Sequence, residues 1–196
     1  MTHLHSKQER IVVFASGTGT NAENIFRHFR HHADIEVGLL ISSKSSAPVV
    51  EKAGNWQVPV QYIAKEDLQQ PANILHQLEE AGITFLVLAG FNRLIPPEVT
   101  NAYEGRFINL HPALLPYYGG KGMYGMNVHR AVIEADDERS GVSIHQVDER
   151  YDEGKVLFQA TCEIDKGMTP EQLADRVHEL EYKHYPGVIE AVIAST

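Results

Sequence analysis

One feature limits the fold more than any other: short apolar, β-branched runs alternate with segments of helical spacing. Arg10–Ala15 (RIVVFA), Ile35–Ser42, Val60–Ile63, Thr84–Ala89 (TFLVLA) and Arg106–Leu110 read as strands. Between them, Asn21–His32, Ala47–Gly54, Pro71–Ala81 and Pro96–Tyr103 read as helices. Strands that are apolar throughout must be covered on both faces, as in a parallel sheet with helices on each side. The pattern predicts an α/β chain with a doubly wound, mostly parallel sheet.

The pattern changes after His111. Pro112, Pro116, Gly119, Gly120, Gly122 and Gly125 punctuate a loop over Pro112–Gly125, and a loop of that length inside a compact domain is usually functional. Asn127–Ala135 reads as a helix, while Gly141–Val147 and Lys155–Cys162 are extended runs joined by the polar stretch Asp148–Gly154. Thr169 as N-cap, Pro170 at the first helical position and Gln172 three residues after the cap open a last helix. Leu173, Val177 and Leu180 supply its apolar stripe. No internal repeat is present. A chain of 196 residues is expected to form one domain over 1–196, with residues 1–9 as a polar tail.

Composition removes several function classes. Lys plus Arg is 17 and Asp plus Glu is 26, for a formal charge of −9. An acidic chain without a basic block is a poor partner for nucleic acid or an anionic membrane. Cys162 is the only cysteine, so neither an intrachain disulfide nor a cysteine-based zinc site is possible. Apolar runs are too short for a transmembrane helix or a signal-peptide core. A cytoplasmic location is the expectation.

Two stretches carry chemistry. Ser16–Asn21 (SGTGTN) joins the first strand to the first helix. In an open α/β sheet that turn faces the ligand crevice, and the helix N-terminus favours an anion. The alternative is a tight turn in which Thr20 or Asn21 caps the helix. Ala22 stands where a dinucleotide fingerprint wants its third glycine, and Ser42-Ser43-Lys44 follows the second strand in place of an acid. A phosphate monoester fits better than a dinucleotide. The second stretch is Asn109-Leu110-His111-Pro112. Residues two apart on a strand share a face, so Asn109 and His111 point the same way at a strand's carboxyl end. An amide that donates to a developing oxyanion beside an imidazole that moves a proton suits acyl transfer. Asp148, Glu149, Asp152 and Glu153 form an acidic turn, and one of these carboxylates folded against His111 would orient the ring and favour its charged form. Periodicity does not select which. His145 alternates with Val147 near this site and is a candidate supporting residue. His3 and His5 fall in the polar tail, and His28, His31 and His32 crowd a helix end. His28 and His32 have metal-ligand spacing, with no carboxylate beside them in the helix.

SGTGTN, LAGFNR at Leu88–Arg93, INLHPALLP at Ile108–Pro116 and VDERYDEG at Val147–Gly154, in this order, resemble the phosphoribosylglycinamide formyltransferases. The resemblance runs from about Arg10 to Val188. It implies transfer of a formyl group from 10-formyltetrahydrofolate, as co-substrate and without a metal, to the amine of glycinamide ribonucleotide in purine biosynthesis. The family's catalytic Asn, His and Asp fall on Asn109, His111 and Asp152. Its phosphate loop falls on Gly19, Thr20 and Asn21, and its ribose-contacting Glu on Glu181, within EYKHYP. Its folate site falls on Asn92, Arg93, Leu94, Ile95 and Asn109, with Lys65 as a basic folate contact.

Three departures stand out. Asn92 replaces a usually apolar residue, the loop Gly119–Met126 is longer than in better-known members, and the chain stops at Thr196, short of a tail that many members carry. Two relatives share this core. A methionyl-tRNA formyltransferase would bring a further RNA-binding domain, and a formyltetrahydrofolate hydrolase usually has an N-terminal regulatory domain where only Met1–Glu9 precedes the first strand. A non-catalytic nucleotide-binding α/β module is the alternative from another class. Oligomeric state is not legible.

Overall fold

The computed structural model describes residues 8–196, so His3 and His5 lie outside the described residues. The strands are β1 (Glu9–Phe14), β2 (Ile35–Ser42), β3 (Val60–Tyr62), β4 (Phe85–Leu88), β5 (Phe107–His111), β6 (Arg139–Gln146) and β7 (Val156–Glu163). The helices are α1 (Thr20–Phe29), α2 (Pro48–Asn55), α3 (Pro71–Glu80), α4 (Pro97–Ala102), α5 (Met126–Glu134) and α6 (Pro170–Ala194). One sheet has the order β3-β2-β1-β4-β5-β6-β7. Its first five strands run parallel, while β6 and β7 are antiparallel to their neighbours. The doubly wound α/β architecture read from the alternation is the one observed. The antiparallel pair follows from chain length: Asp148–Gly154 is too short for a crossover helix, so β7 can only return alongside β6.

β1 sits at the centre and shows why its sequence has no polar face. Ile11 and Val13 pack with Ile25 and Phe26 of α1, Val49 of α2 and Tyr185 and Ile189 of α6. Val12 and Phe14 point the other way, toward Ile74 and Leu78 of α3 and Val99 of α4. Each such side chain, taken from water to full burial, contributes about 1.5–3 kcal/mol. A third cluster joins Val128 and Val132 of α5 to Val142 of β6 and to Leu173 and Val177 of α6.

The helix expected over Asn21–His32 ends instead at Phe29. His32 turns its ring back, and Nδ1 accepts the backbone N–H groups of Asp34 and Ile35 at 3.2 and 3.1 Å, closing the turn into β2. The ring proton is therefore on Nε2, which faces Glu190 Oε1 of α6 at 3.4 Å, while His28 Nε2 faces Oε2 at 3.3 Å. A metal bound at His28 and His32 would need a lone pair at His32 Nε2, and the turn has assigned a proton there.

The last helix starts as expected. Thr169 Oγ1 accepts from the Gln172 amide at 3.3 Å and Gln172 Oε1 accepts from the Thr169 amide at 2.9 Å, a reciprocal cap. Further along, the fully buried Tyr185 donates its hydroxyl to the Leu88 carbonyl at 2.7 Å. That bond pins α6 to the carboxyl end of β4. Tyr185→Phe removes the donor and leaves a buried carbonyl short of a partner, so it lowers stability by about 1–2 kcal/mol, read as a lower urea midpoint at unchanged slope.

Candidate active site

The carboxyl ends of β1, β4 and β5 open into a cleft of about 600 Å³. Its lining comes from the turn into α1, the segment 88–95 after β4, the end of β5, the loop 120–125, the turn 147–152, and side chains of α5, β6 and α6. This is the position at which parallel α/β sheets bind ligands, because the strand ends and helix N-termini converge there.

At one end of the cleft α1 begins. Gly19 is its N-cap residue with φ 71°, and no side chain caps the helix. The expected alternative, in which Thr20 or Asn21 caps it, is thereby overturned. Asn21 reaches across instead, donating from Nδ2 to Glu181 Oε2 at 2.6 Å. Its Oδ1 is buried without a partner. Glu181 is 5 % exposed, and burial pushes its carboxyl pKa up against the opposing pull of the Asn21 hydrogen bond and of His178. An uncapped helix N-terminus beside a buried acceptor suits an anion joined to a hydroxyl-bearing group. Gly19 is also needed for packing, since a Cβ there would collide with Cγ2 of Val49 in α2. Gly19→Ala combines that collision with a left-handed backbone, so it lowers thermal stability, measurable by thermal melts.

At the centre, β5 presents Asn109 and His111 on one face, and the turn after β6 brings in Asp152. Periodicity left the choice among the carboxylates of that turn open and the family resemblance pointed to Asp152; the structure turns Asp152 inward. Its φ is 56°, a left-handed conformation that aspartate tolerates better than most residues. Two residues later the backbone passes so close to the Gln146 carbonyl that only Gly154 fits. The turn thus folds back and aims the carboxylate inward. Asp152 Oδ2 lies 3.5 Å from His111 Nδ1 and accepts the Gly120 amide at 2.9 Å. Oδ1 lies 3.5 Å from His145 Nε2 and 3.4 Å from Asn109 Nδ2. Burial raises the Asp152 pKa, but the facing His145 and His111 rings and the Gly120 amide outweigh it and hold the carboxyl below its usual range.

His111 behaves differently from the expectation. The ring is 3 % exposed, and burial lowers its pKa by more than Asp152 and the Tyr118 carbonyl raise it. At neutral pH the resting ring is neutral rather than charged. Nε2 carries the proton and donates it to the Tyr118 carbonyl at 2.8 Å, which leaves the Nδ1 lone pair beside Asp152. A neutral imidazole poised next to a carboxylate can accept a proton and be stabilised once it has done so.

His145 lies directly across from Asn109 in the β5–β6 register. Its Nδ1 donates to the Gln146 carbonyl at 2.8 Å, and its Nε2 lies 3.0 Å from Asn109 Nδ2 and 3.5 Å from Asp152 Oδ1. The contact with Asn109 orients that amide with its donors toward Asp152 and His111. The supporting role read from the strand alternation is what the register provides. A further histidine, His129, escaped the sequence reading because nothing on its helix marked it. It lines the cleft and is 2 % exposed.

The segment after β4 forms the other end of the cleft. Asn92 is exposed and its Oδ1 accepts from Ser43 Oγ at 3.2 Å. Ser43 Oγ in turn lies 2.7 Å from Ser16 Oγ. Arg93 spends its guanidinium on backbone, donating to the Ile63 and Ser43 carbonyls at 3.1 and 3.3 Å. It therefore ties the segment to the ends of β2 and β3 while still lining the cleft. Leu94 is 43 % exposed and Ile95 is buried. Lys65 is exposed beyond β3 and is not among the residues lining the cleft. Beyond it the chain enters a 3₁₀ turn at Asp67–Gln69.

The sequence pattern of the family described as formyl transferase matches residues 9–189. The chain is 37% identical over 192 residues to the chloroplastic phosphoribosylglycinamide formyltransferase of Arabidopsis thaliana, covering 95% of this chain and 66% of the plant protein. The Vigna unguiculata protein of the same name is also 37% identical, with 61% of its length covered. The chain thus spans just under two thirds of these plant relatives. The Bacillus subtilis phosphoribosylglycinamide formyltransferase is 34% identical over 190 residues, with 95% of its length covered. Among solved structures, the phosphoribosylglycinamide formyltransferase of Bacillus halodurans superposes with a TM-score of 0.86 at 35% identity, covering 94% of this chain and 95% of that one. With the fold, the strand-end cleft and this match over nearly its whole length, the chain belongs to the formyl transferase family.

Proposed function

We propose that this chain transfers a formyl group from 10-formyltetrahydrofolate to the amine of glycinamide ribonucleotide, a step of purine biosynthesis. The observation that carries the reading is the convergence of Asn109, His111 and Asp152 in the same cleft as an uncapped helix N-terminus and a buried glutamate. In this arrangement the substrate phosphate sits at Gly19, Thr20 and Asn21, and Glu181 accepts from a ribose hydroxyl. The folate ring lies along Asn92–Ile95, recognised mostly through backbone groups of a segment that Arg93 holds in place. The formyl donor supplies an electrophilic carbon, and a cleft of about 600 Å³ has room for both molecules' reacting ends.

The chain's own residues then account for the chemistry. As the amine attacks, negative charge develops on the formyl oxygen, and an N–H of Asn109 Nδ2 can turn from its long contact with Asp152 to meet it. The attacking nitrogen must shed a proton, and neutral His111 takes it. The neighbouring Asp152 carboxylate stabilises the imidazolium so formed, and the ring returns the proton toward the leaving folate nitrogen. No step here calls for a metal. The same reading takes residues 1–196 as one formyltransferase domain, acting on small molecules in the cytoplasm.

Incubating the purified chain with both substrates tests this directly. Formylated nucleotide must accumulate; release of formate independent of glycinamide ribonucleotide would indicate a hydrolase, and neither product a binding module. Asp152→Asn removes the charge that raises the His111 pKa, so that pKa falls further below its ordinary value. Since neutral His111 is the working form, the acid limb of the pH–rate profile moves to lower pH. kcat drops by a factor of at least about 100, the imidazolium having lost its partner. The double variant with His111→Ala is little slower than His111→Ala alone, because the two residues act as one unit.

A further inference from the structure

His129 is a buried titratable group that the chemistry above leaves unused. It projects from α5, is 2 % exposed and lines the cleft. Nδ1 is sealed from solvent and has no hydrogen-bond partner. Among the described residues no group pairs with Nε2 either, so Nε2 is the nitrogen that meets the cleft. A buried polar ring without any partner normally costs stability. Such a cost is retained where a ligand supplies the missing bond.

The neighbours of His129 locate that ligand. His178 of α6 has its ring centroid 6.5 Å away, and His178 Nε2 is in turn 4.0 Å from Glu181 Oε2. His111, His129, His178 and Glu181 all line the same cleft. His129 therefore joins the Glu181 end of the cleft to a lining that it shares with the reacting centre. With the ribose at Glu181 and the amine at His111, the part of the substrate that must pass His129 is the arm joining them.

We infer that His129 binds the glycinamide arm of the nucleotide, with Nε2 hydrogen-bonded to an amide or amine nitrogen or oxygen of that arm, and so selects for it. This rests on the proposed function and extends it to a residue that no sequence motif singled out. Burial and the adjacent His178 and His111 push the His129 pKa down to about 4. The ring thus stays neutral across the physiological range and offers a hydrogen bond without repelling an amine. Arg130, the next residue, is exposed, and no carboxylate contacts the ring that would charge it.

The test uses the full chain, with His129→Phe, which fills the volume without nitrogens, and His129→Gln, whose amide reaches the Nε2 position. Both are assayed for formyl transfer and, by calorimetry, for binding of ribose 5-phosphate. In His129→Phe the KM for glycinamide ribonucleotide rises about tenfold, the loss of one neutral hydrogen bond. The KM for the formyl donor and the affinity for ribose 5-phosphate stay within about twofold of the parent, and kcat changes less than KM. His129→Gln restores most of the loss. An unchanged nucleotide KM in folded His129→Phe overturns the inference. So does equal loss of ribose 5-phosphate binding, which marks a structural role. Should His129→Phe not fold, His129→Gln against His129→Asn decides: Gln binds the nucleotide and Asn, too short to reach, does not, and equal affinities overturn the inference. A parent chain that forms no formylated nucleotide fails at the level of the proposed function, before any variant is compared.

Discussion

The half-buried carboxylate of Asp152 holds the centre of this molecule together. Four groups from three separate segments converge on its two oxygens: His111 and Asn109 from β5, His145 from β6, and the Gly120 amide from the glycine-rich loop. A charge taken this far from water is tolerated only when such partners replace its hydration. The same contacts fix the approach of the 120–125 loop to the sheet and the orientation of the Asn109 amide. Loss of the carboxylate would thus release both a loop and a donor, not one ion pair.

That arrangement exists because the sheet changes direction at β5. Up to β5 every strand is parallel and every connection crosses the sheet through a helix. β6 runs the opposite way, which sets His145 across from Asn109 and His111 across from Ser143. Ser143 then accepts the Leu115 amide at 2.9 Å and donates to the Ala113 carbonyl at 2.7 Å, anchoring the start of the loop. The antiparallel hairpin is what returns the Asp148–Gly154 turn to the strand ends, where a crossover helix would have carried it away. Two binding ends flank this centre with different physics. The α1 end offers oriented amides and a buried acceptor. The 88–95 end offers backbone, held in place by Arg93 and by the Ser16–Ser43–Asn92 chain.

Much of this was legible in the sequence, for local reasons. Apolar strands without a polar face require helices on both sides, so β1, β2 and β4 announced the α/β class. Asn109 and His111 share a face because strands have a period of two, whatever the rest of the fold does. Thr169, Pro170 and Gln172 specify a helix start through contacts within one turn. Other features depended on which distant groups meet. His111 reads as charged beside an acid, but burial outweighs that carboxylate, and burial is a property of packing. Arg93 lines the cleft, and its hold on the carbonyls of Ile63 and Ser43, 30 and 50 residues away, is visible only in the fold. The helix after Asn21 ends early because His32 captures the amides of Asp34 and Ile35.

The choice of one acid among Asp148, Glu149, Asp152 and Glu153 marks the boundary most sharply. Sequence alone determined that an acidic turn follows the β6 segment and that Asn109 and His111 stand side by side at a strand end. The family motif pointed to Asp152, but only the tertiary structure shows how it turns inward, through a left-handed backbone and a close passage at Gly154 that no side-chain pattern encodes. It alone placed His129, 18 positions beyond His111 in sequence, at the same cleft. Local periodicity sets which way a residue faces along its own element, whereas burial, partner choice and proton placement are set by what the rest of the chain packs against it.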